Sequence, residues 1–159
     1  MRVVRGIAAA ALVTGGLLVP VAGAQAKIKV TVLGWTTQAG STTPQVKNNG
    51  TIDACLDMGN GQRSLYVIYK GKGIKKNIKV GVGVWGGPPS AGFATEPTGA
   101  DVMKSAFKWP VNEKKSFTSR YGYSFATGPF GPQQISGVWN AKILIKQKVV
   151  ARGKVTVAC

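Results

Sequence analysis

Beyond an apolar N-terminal stretch, the chain alternates between apolar and polar residues, the period of a strand with one buried face. Ile28, Val30 and Val32 alternate with Lys27, Lys29 and Thr31. After a Thr-, Gly- and Asn-rich loop, Thr51 to Met58 puts Ile52, Ala54, Leu56 and Met58 on one side and Asp53, Cys55 and Asp57 on the other. Ser64 to Lys70 and Asn77 to Trp85 read as two strands joined by a hairpin or short loop over 71–76. In the second, Ile78, Val80, Val82 and Val84 share one face, and Lys79, Gly81, Gly83 and Trp85 share the other. A Pro- and Gly-rich connection over 86–99 precedes a short strand expected near Asp101 to Phe107. Phe117, Ser119, Tyr121, Tyr123 and Phe125 then alternate with Thr118, Arg120, Gly122 and Ser124. Trp139, Ala141, Ile143 and Ile145 face one way before a tight turn at Lys146-Gln147-Lys148. Val149, Ala151, Gly153, Val155, Val157 and Cys159 alternate back. With no crossover helix visible, about eight short strands separated by turn residues predict an antiparallel sandwich or barrel.

The segment from Gly137-Val138-Trp139 to Val157 resembles the final hairpin of bacterial immunoglobulin-like domains. In that hairpin a Gly-x-aromatic opens the penultimate strand, and Gly-Lys-x-Val-Ala turns into the last one. Gln147-Lys148-Val149-Val150-Ala151 matches this with Gln in place of the turn Gly. Val84-Trp85-Gly86-Gly87-Pro88 resembles a strand end entering an end loop of such a domain. The resemblance is carried mainly by the C-terminal third. It implies an all-β, antiparallel immunoglobulin-like sandwich of about 7–9 strands, and it implies no function, because that architecture hosts many unrelated roles.

The first 26 residues have the order of a secretory signal. Arg2 and Arg5 precede an apolar run from Ile7 to Val21, and Ala24-Gln25-Ala26 offers the small residues a signal peptidase reads. Gly15, Gly16 and Pro20 interrupt the run, against a membrane anchor. Cleavage is expected after Ala26, giving a secreted, extracellular product without a transmembrane segment, with residues 27–159 forming one domain. In an exported chain, the two cysteines Cys55 and Cys159 predict an intramolecular disulfide. Closing so long a loop would contribute about 4–5 kcal/mol in the chain-entropy model.

Charge narrows the function. The chain carries 21 Lys and Arg against 5 Asp and Glu, a formal net charge of +16. Beyond the leader, Arg63, Arg120 and Arg152 are the only arginines among many lysines. Lysine is a hydrated point charge without the planar fork that reads bases, so sequence-specific nucleic-acid binding is not expected.

Candidate chemistry is sparse. No histidine occurs, which removes the commonest general base and metal ligand. Asp53 and Asp57 are the one close carboxylate pair. On an extended strand their backbones lie roughly 13 Å apart, beyond the ~5–10 Å of a glycosidase pair. No Asp-rich loop offers a Ca²⁺ site, and no pattern for another metal or a cofactor is present. Ser105-Ala106-Phe107-Lys108 fits the Ser-x-x-Lys of penicillin-binding enzymes, but that motif needs a helix to bring Lys back to Ser, and partner motifs such as Lys-Thr-Gly are absent.

Two clusters suit binding. Lys70, Lys72, Lys75, Lys76 and Lys79 surround the Gly71–Gly73 turn with Tyr66 and Tyr69 nearby, a cationic tip beside aromatics that fits a polyanion. The plainer reading is that these lysines keep strand edges from pairing with other chains. Trp109, Phe117, Tyr121, Tyr123 and Phe125 interleave with Lys108, Lys114, Lys115 and Arg120, but the shared parity of four of these aromatics places them on a core face. The expectation is a secreted, non-catalytic extracellular module for an anionic partner such as a wall polymer, a membrane surface or another polyanion. A cationic antibacterial or toxin-like protein and a small secreted enzyme with an unrecognised site remain the alternatives.

Overall fold

Strand β1 (Lys29–Thr36) begins on the predicted parity and then breaks it. Val32 is buried in the core, and so is Trp35, three residues later. A register shift between Val32 and Gly34 in the pairing with β4 (Gln62–Lys72) absorbs the extra residue as a bulge. Gly34 is required there: a Cβ would lie 2.0 Å from the Val46 carbonyl oxygen. These features come from a computed structural model that describes residues 28–53, 62–74, 77–89, 92–109, 116–128, 131–132 and 135–158.

The chain is mostly β. One five-stranded sheet has the order β2 (Val46–Lys47), β1, β4, β7 (Phe117–Gly128), β8 (Gly131–Pro132). The other has the order β3 (Thr51–Asp53), β10 (Lys148–Ala158), β9 (Gly137–Ile145), β5 (Lys79–Gly86), β6 (Phe107–Lys108). Every pairing is antiparallel except β3 with β10, which is parallel.

The two sheets enclose one core. Trp35, Leu65, Val67, Tyr69 and Phe125 from the first meet Val80, Val82, Val84, Trp139, Ala141, Ile143 and Val155 from the second. The predicted parities of the second half hold. Val80, Val82 and Val84 are buried, and Phe117, Tyr121, Tyr123 and Phe125 turn inward with Trp109. Phe93, from the connection after β5, stacks on Tyr123 at 4.4 Å between ring centres and reaches Trp139 at 6.1 Å. Trp139 Nε1 donates to the Ile135 carbonyl at 2.7 Å.

Two local expectations are corrected. Of the two links expected over 71–76, a hairpin or a short loop, the hairpin is excluded: β4 and β5 belong to different sheets, and the link between them crosses from one layer to the other. Ile74 anchors that link, 2% exposed, in the core. The strand expected near Asp101 to Phe107 is instead helix α1 (Gly99–Lys104) followed by the two-residue β6. Thr98 caps α1 by accepting from the Asp101 N–H at 3.1 Å, and Asp101 is in turn paired with Lys104 at 2.8 Å. Six residues are too few for helical periodicity to register in a sequence. The helix lies over the outer side of β5 because glycine leaves room for it: a Cβ on Gly83 would meet Val102 Cγ2 at 2.7 Å. Residues 1–27, on which the expected secretory signal falls, and Cys55 and Cys159, on which the expected disulfide falls, lie outside the described residues.

Candidate anion-binding surfaces

Pleating puts Lys29, Lys70 and Lys72 on the outer face of the first sheet, because their neighbours Val32 and Tyr69 point into the core. Lys29 stands directly opposite Lys72, and Lys70 stands between Thr31 and Thr118. All three lysines are exposed. Side chains at directly opposed positions have Cβ atoms ~4.5–5.5 Å apart, and like charges there repel. Lys79 and Lys108 form a second opposed, exposed pair at the start of β5 in the other sheet. Among the described residues, no carboxylate pairs with any of these five ammonium groups; the ion pairs involve Lys104, Lys142 and Arg152. The lysines named from the sequence therefore gather at one end of the molecule, where the chain crosses between sheets, but on the outer faces of both layers. Lys75 and Lys76 fall outside the described residues.

The two predicted tyrosines part company. Tyr66 shares the outer face with Lys70, half-buried, its hydroxyl 2.8 Å from Ser124 Oγ and the Arg120 guanidinium 5.3 Å from its ring centre. The hydrogen bond with Ser124 is the main reason its phenol is held below the usual value, with Ser64 and the Arg120 charge helping. Tyr69 is corrected: it is fully buried, 6.4 Å from Trp109 between ring centres, and contributes to the core rather than to a surface. Burial pushes its phenol up to about 12.

A groove that the sequence did not single out lies on the outer face of the second sheet. It has a volume of about 310 Å³ and is lined by Asn48, Asn49, Trp85, Asn140, Arg152 and Lys154. Register assembles it. Asn140 pairs with Trp85 on one side and Lys154 on the other, and in the next row Lys142 pairs with Gly83 and Arg152. The turn between β2 and β3 closes one wall: Lys154 N–H donates to Asn48 Oδ1 at 2.8 Å and Asn49 N–H to the Lys154 carbonyl at 2.7 Å. Asn49 has φ 66°, a left-handed conformation that asparagine tolerates better than most residues.

Beside the groove, Lys142 is buried and satisfied. Its ammonium donates to Glu96 Oε1 at 2.8 Å and to the Pro97 carbonyl, and lies 5.6 Å from the centre of the Trp85 ring. Glu96 also accepts from Arg152 Nη1 at 3.3 Å, so one carboxylate separates two cations at opposed positions. The hydrogen bond from Lys142, before the Lys142 and Arg152 charges, holds the Glu96 carboxyl below its ordinary value. The sequence signal for this site was Trp85 on the wet parity of β5.

The Ser-x-x-Lys match comes apart in space. Ser105 caps the C-terminus of α1 and its hydroxyl donates to the Val102 carbonyl at 3.2 Å, whereas Lys108 is on β6. Among the described residues no three His, Cys, Asp or Glu side chains gather as a metal site, and no helix is long and apolar enough to cross a membrane. No family model and no curated protein matches the chain.

Proposed function

We propose that the chain is an exported, non-catalytic binding module with an immunoglobulin-like fold, and that its ligand is an anionic polymer at the extracellular surface. The observation that carries this reading is the opposed pair Lys29–Lys72 with Lys70 beside it, exposed and without a carboxylate partner among the described residues. Holding like charges across a strand pair costs folding energy, and a bound polyanion would relieve it. The formal net charge of +16, or +14 once Arg2 and Arg5 leave with the leader, gives the same partner long-range attraction.

Strand order supports the fold family. The neighbours β1-β4-β7 in one sheet and β10-β9-β5 in the other run in the order that A-B-E and G-F-C have in an immunoglobulin-type domain, which favours this reading. One departure is that β8 follows β7 in sequence, whereas strand D precedes E. The absence of histidine from the sequence and the separation of Ser105 from Lys108 support a non-catalytic role. The leader ending at Ala26 supports export, and a Cys55–Cys159 disulfide completes the reading.

Retention on immobilised heparin or teichoic acid tests it. The protein should bind at low ionic strength and release as salt rises, because exposed charges are screened beyond about 10 Å at 0.1 M. Absence of retention at low salt, or retention indifferent to salt, would sink the proposal.

A further inference from the structure

We infer that the groove between Trp85 and Lys154 is a subsite for one acidic sugar unit, a uronate ring, of the anionic polymer. This rests on the anionic-polymer reading and narrows it to a polysaccharide. The groove's volume of about 310 Å³ is at the small end of the ~300–1,000 Å³ of ligand pockets, the scale of a compact unit rather than of a long chain.

Its lining has three kinds of group, and a uronate ring needs all three. Trp85 offers an apolar aromatic surface of the kind that packs against the C–H face of a pyranose ring. Asn48, Asn49 and Asn140 offer side-chain amides, which both donate and accept and so match hydroxyl groups. Arg152 and Lys154 supply positive charge for the carboxylate. Arg152 spends Nη1 on Glu96 and keeps further N–H donors, and a guanidinium fits a carboxylate in bidentate fashion.

Apart from Asn48 Oδ1, which accepts from the Lys154 N–H, and Arg152 Nη1, which donates to Glu96, these groups are not consumed by the fold. Among the described residues, the side chains of Asn49, Asn140 and Lys154 make no hydrogen bond or ion pair. The scaffold beneath them is rigid by contrast. Trp85 and Asn140 are on paired central strands, and Lys142 fixes the flank of the Trp85 ring through Glu96 and Pro97. A polyphosphate or a lipid phosphate would engage the cations alone and have no use for the indole or for the amide pattern.

The tryptophans provide the readout. Trp35, Trp109 and Trp139 are 0–1% exposed, and Trp85 is the one half-buried tryptophan of the chain's four, so a ligand-induced change in emission or in acrylamide quenching reports on the groove. Titration with trigalacturonate should give a saturable change. A neutral trisaccharide and inorganic tripolyphosphate should not. Trp85→Ala should weaken trigalacturonate binding, followed calorimetrically, by about tenfold or more, the loss typical of truncating an aromatic anchor. Asn140→Ala removes an amide from an outer face and should give a smaller loss with an unaltered melt, so the test survives a poorly folding Trp85 variant. Retention of the wild-type protein on teichoic acid at low salt is the control for the underlying anion reading. No saturable response to trigalacturonate, an equal response to tripolyphosphate, or unchanged affinity in the variants, with polymer retention intact, overturns the subsite alone. Loss of polymer retention by the wild-type protein overturns the underlying anion reading instead.

Discussion

Lys142 and Glu96 are joined across 46 residues by a 2.8 Å ion pair in which the ammonium is buried, 7% exposed, and the carboxylate is 41% exposed. The pair ties the connection after β5 to the middle of β9, and it sits against the ring of Trp85. Removing the carboxylate leaves a buried cation with only a carbonyl acceptor, the kind of change that costs more than the pair itself contributes.

Glu96→Gln should therefore lower the melting temperature near neutral pH. Acid should have the same effect on the wild-type protein. The folded Glu96 titrates below its ordinary 4.5, so the unfolded chain takes up the proton first as acid is added. Its stabilisation is present above pH 4.5 and is lost as pH falls through the lower folded value. Melts recorded between about pH 6 and pH 3 should show the wild type converging on Glu96→Gln. Parallel curves with a constant gap would show that the carboxylate's charge is not what matters.

The turn between β9 and β10 is strained in a way that substitution can relieve. Lys146 and Gln147 both have positive φ, 50° and 63°, and Ile145 pairs directly with Lys148, the geometry of a two-residue hairpin that favours Asn-Gly. Gln147→Gly should raise stability by about 1 kcal/mol, the order of the left-handed penalty for a residue with a Cβ. A denaturant midpoint at or below that of the wild type would contradict this.

The parallel ladder between β3 and β10 ends with Asp53 opposite Ala158, two residues before Cys55 and one before Cys159. An intramolecular Cys55–Cys159 bridge is part of the proposed export, and we expect both thiols to be oxidised together. Denatured, unreduced protein should show no reactive thiol, and reduction should expose two and lower stability. Two thiols titrating without reductant would refute the bridge.

What the sequence made legible is what period 2 carries. The inward faces of β5, β7 and β9 follow directly from Val80-Val82-Val84, Phe117 to Phe125, and Trp139 to Ile145. Pairing is not written in that period. Nothing in Ser64 to Lys70 and Asn77 to Trp85 says that the two strands belong to different sheets, so the sequence leaves a hairpin and a short loop equally open there, and only the fold shows a crossing between layers. Tyr69 misled for a related reason: its nearness to Lys70 in sequence hides the fact that pleating sends adjacent side chains to opposite faces. The groove was least legible, since Asn48, Trp85, Asn140 and Lys154 come from four separate segments, and only the wet-face Trp85 hinted at it.

The claim that the lysine face holds the polymer is tested most directly by removing the same amount of charge from two different places. Lys29→Gln with Lys72→Gln removes two exposed cations from opposed positions on the first sheet, and Lys146→Gln with Lys148→Gln removes two exposed cations from the β9–β10 hairpin. Lys142 is unsuitable as a control because it is buried in its ion pair. Affinity for teichoic acid is then measured against salt for the wild type and both double variants. The account predicts a markedly larger loss and a shallower salt dependence for the Lys29/Lys72 variant, with a melting temperature that does not fall in either variant and rises where the opposed charges are relieved. Equal losses from the two variants would mean that the charge acts globally, and would contradict a binding face.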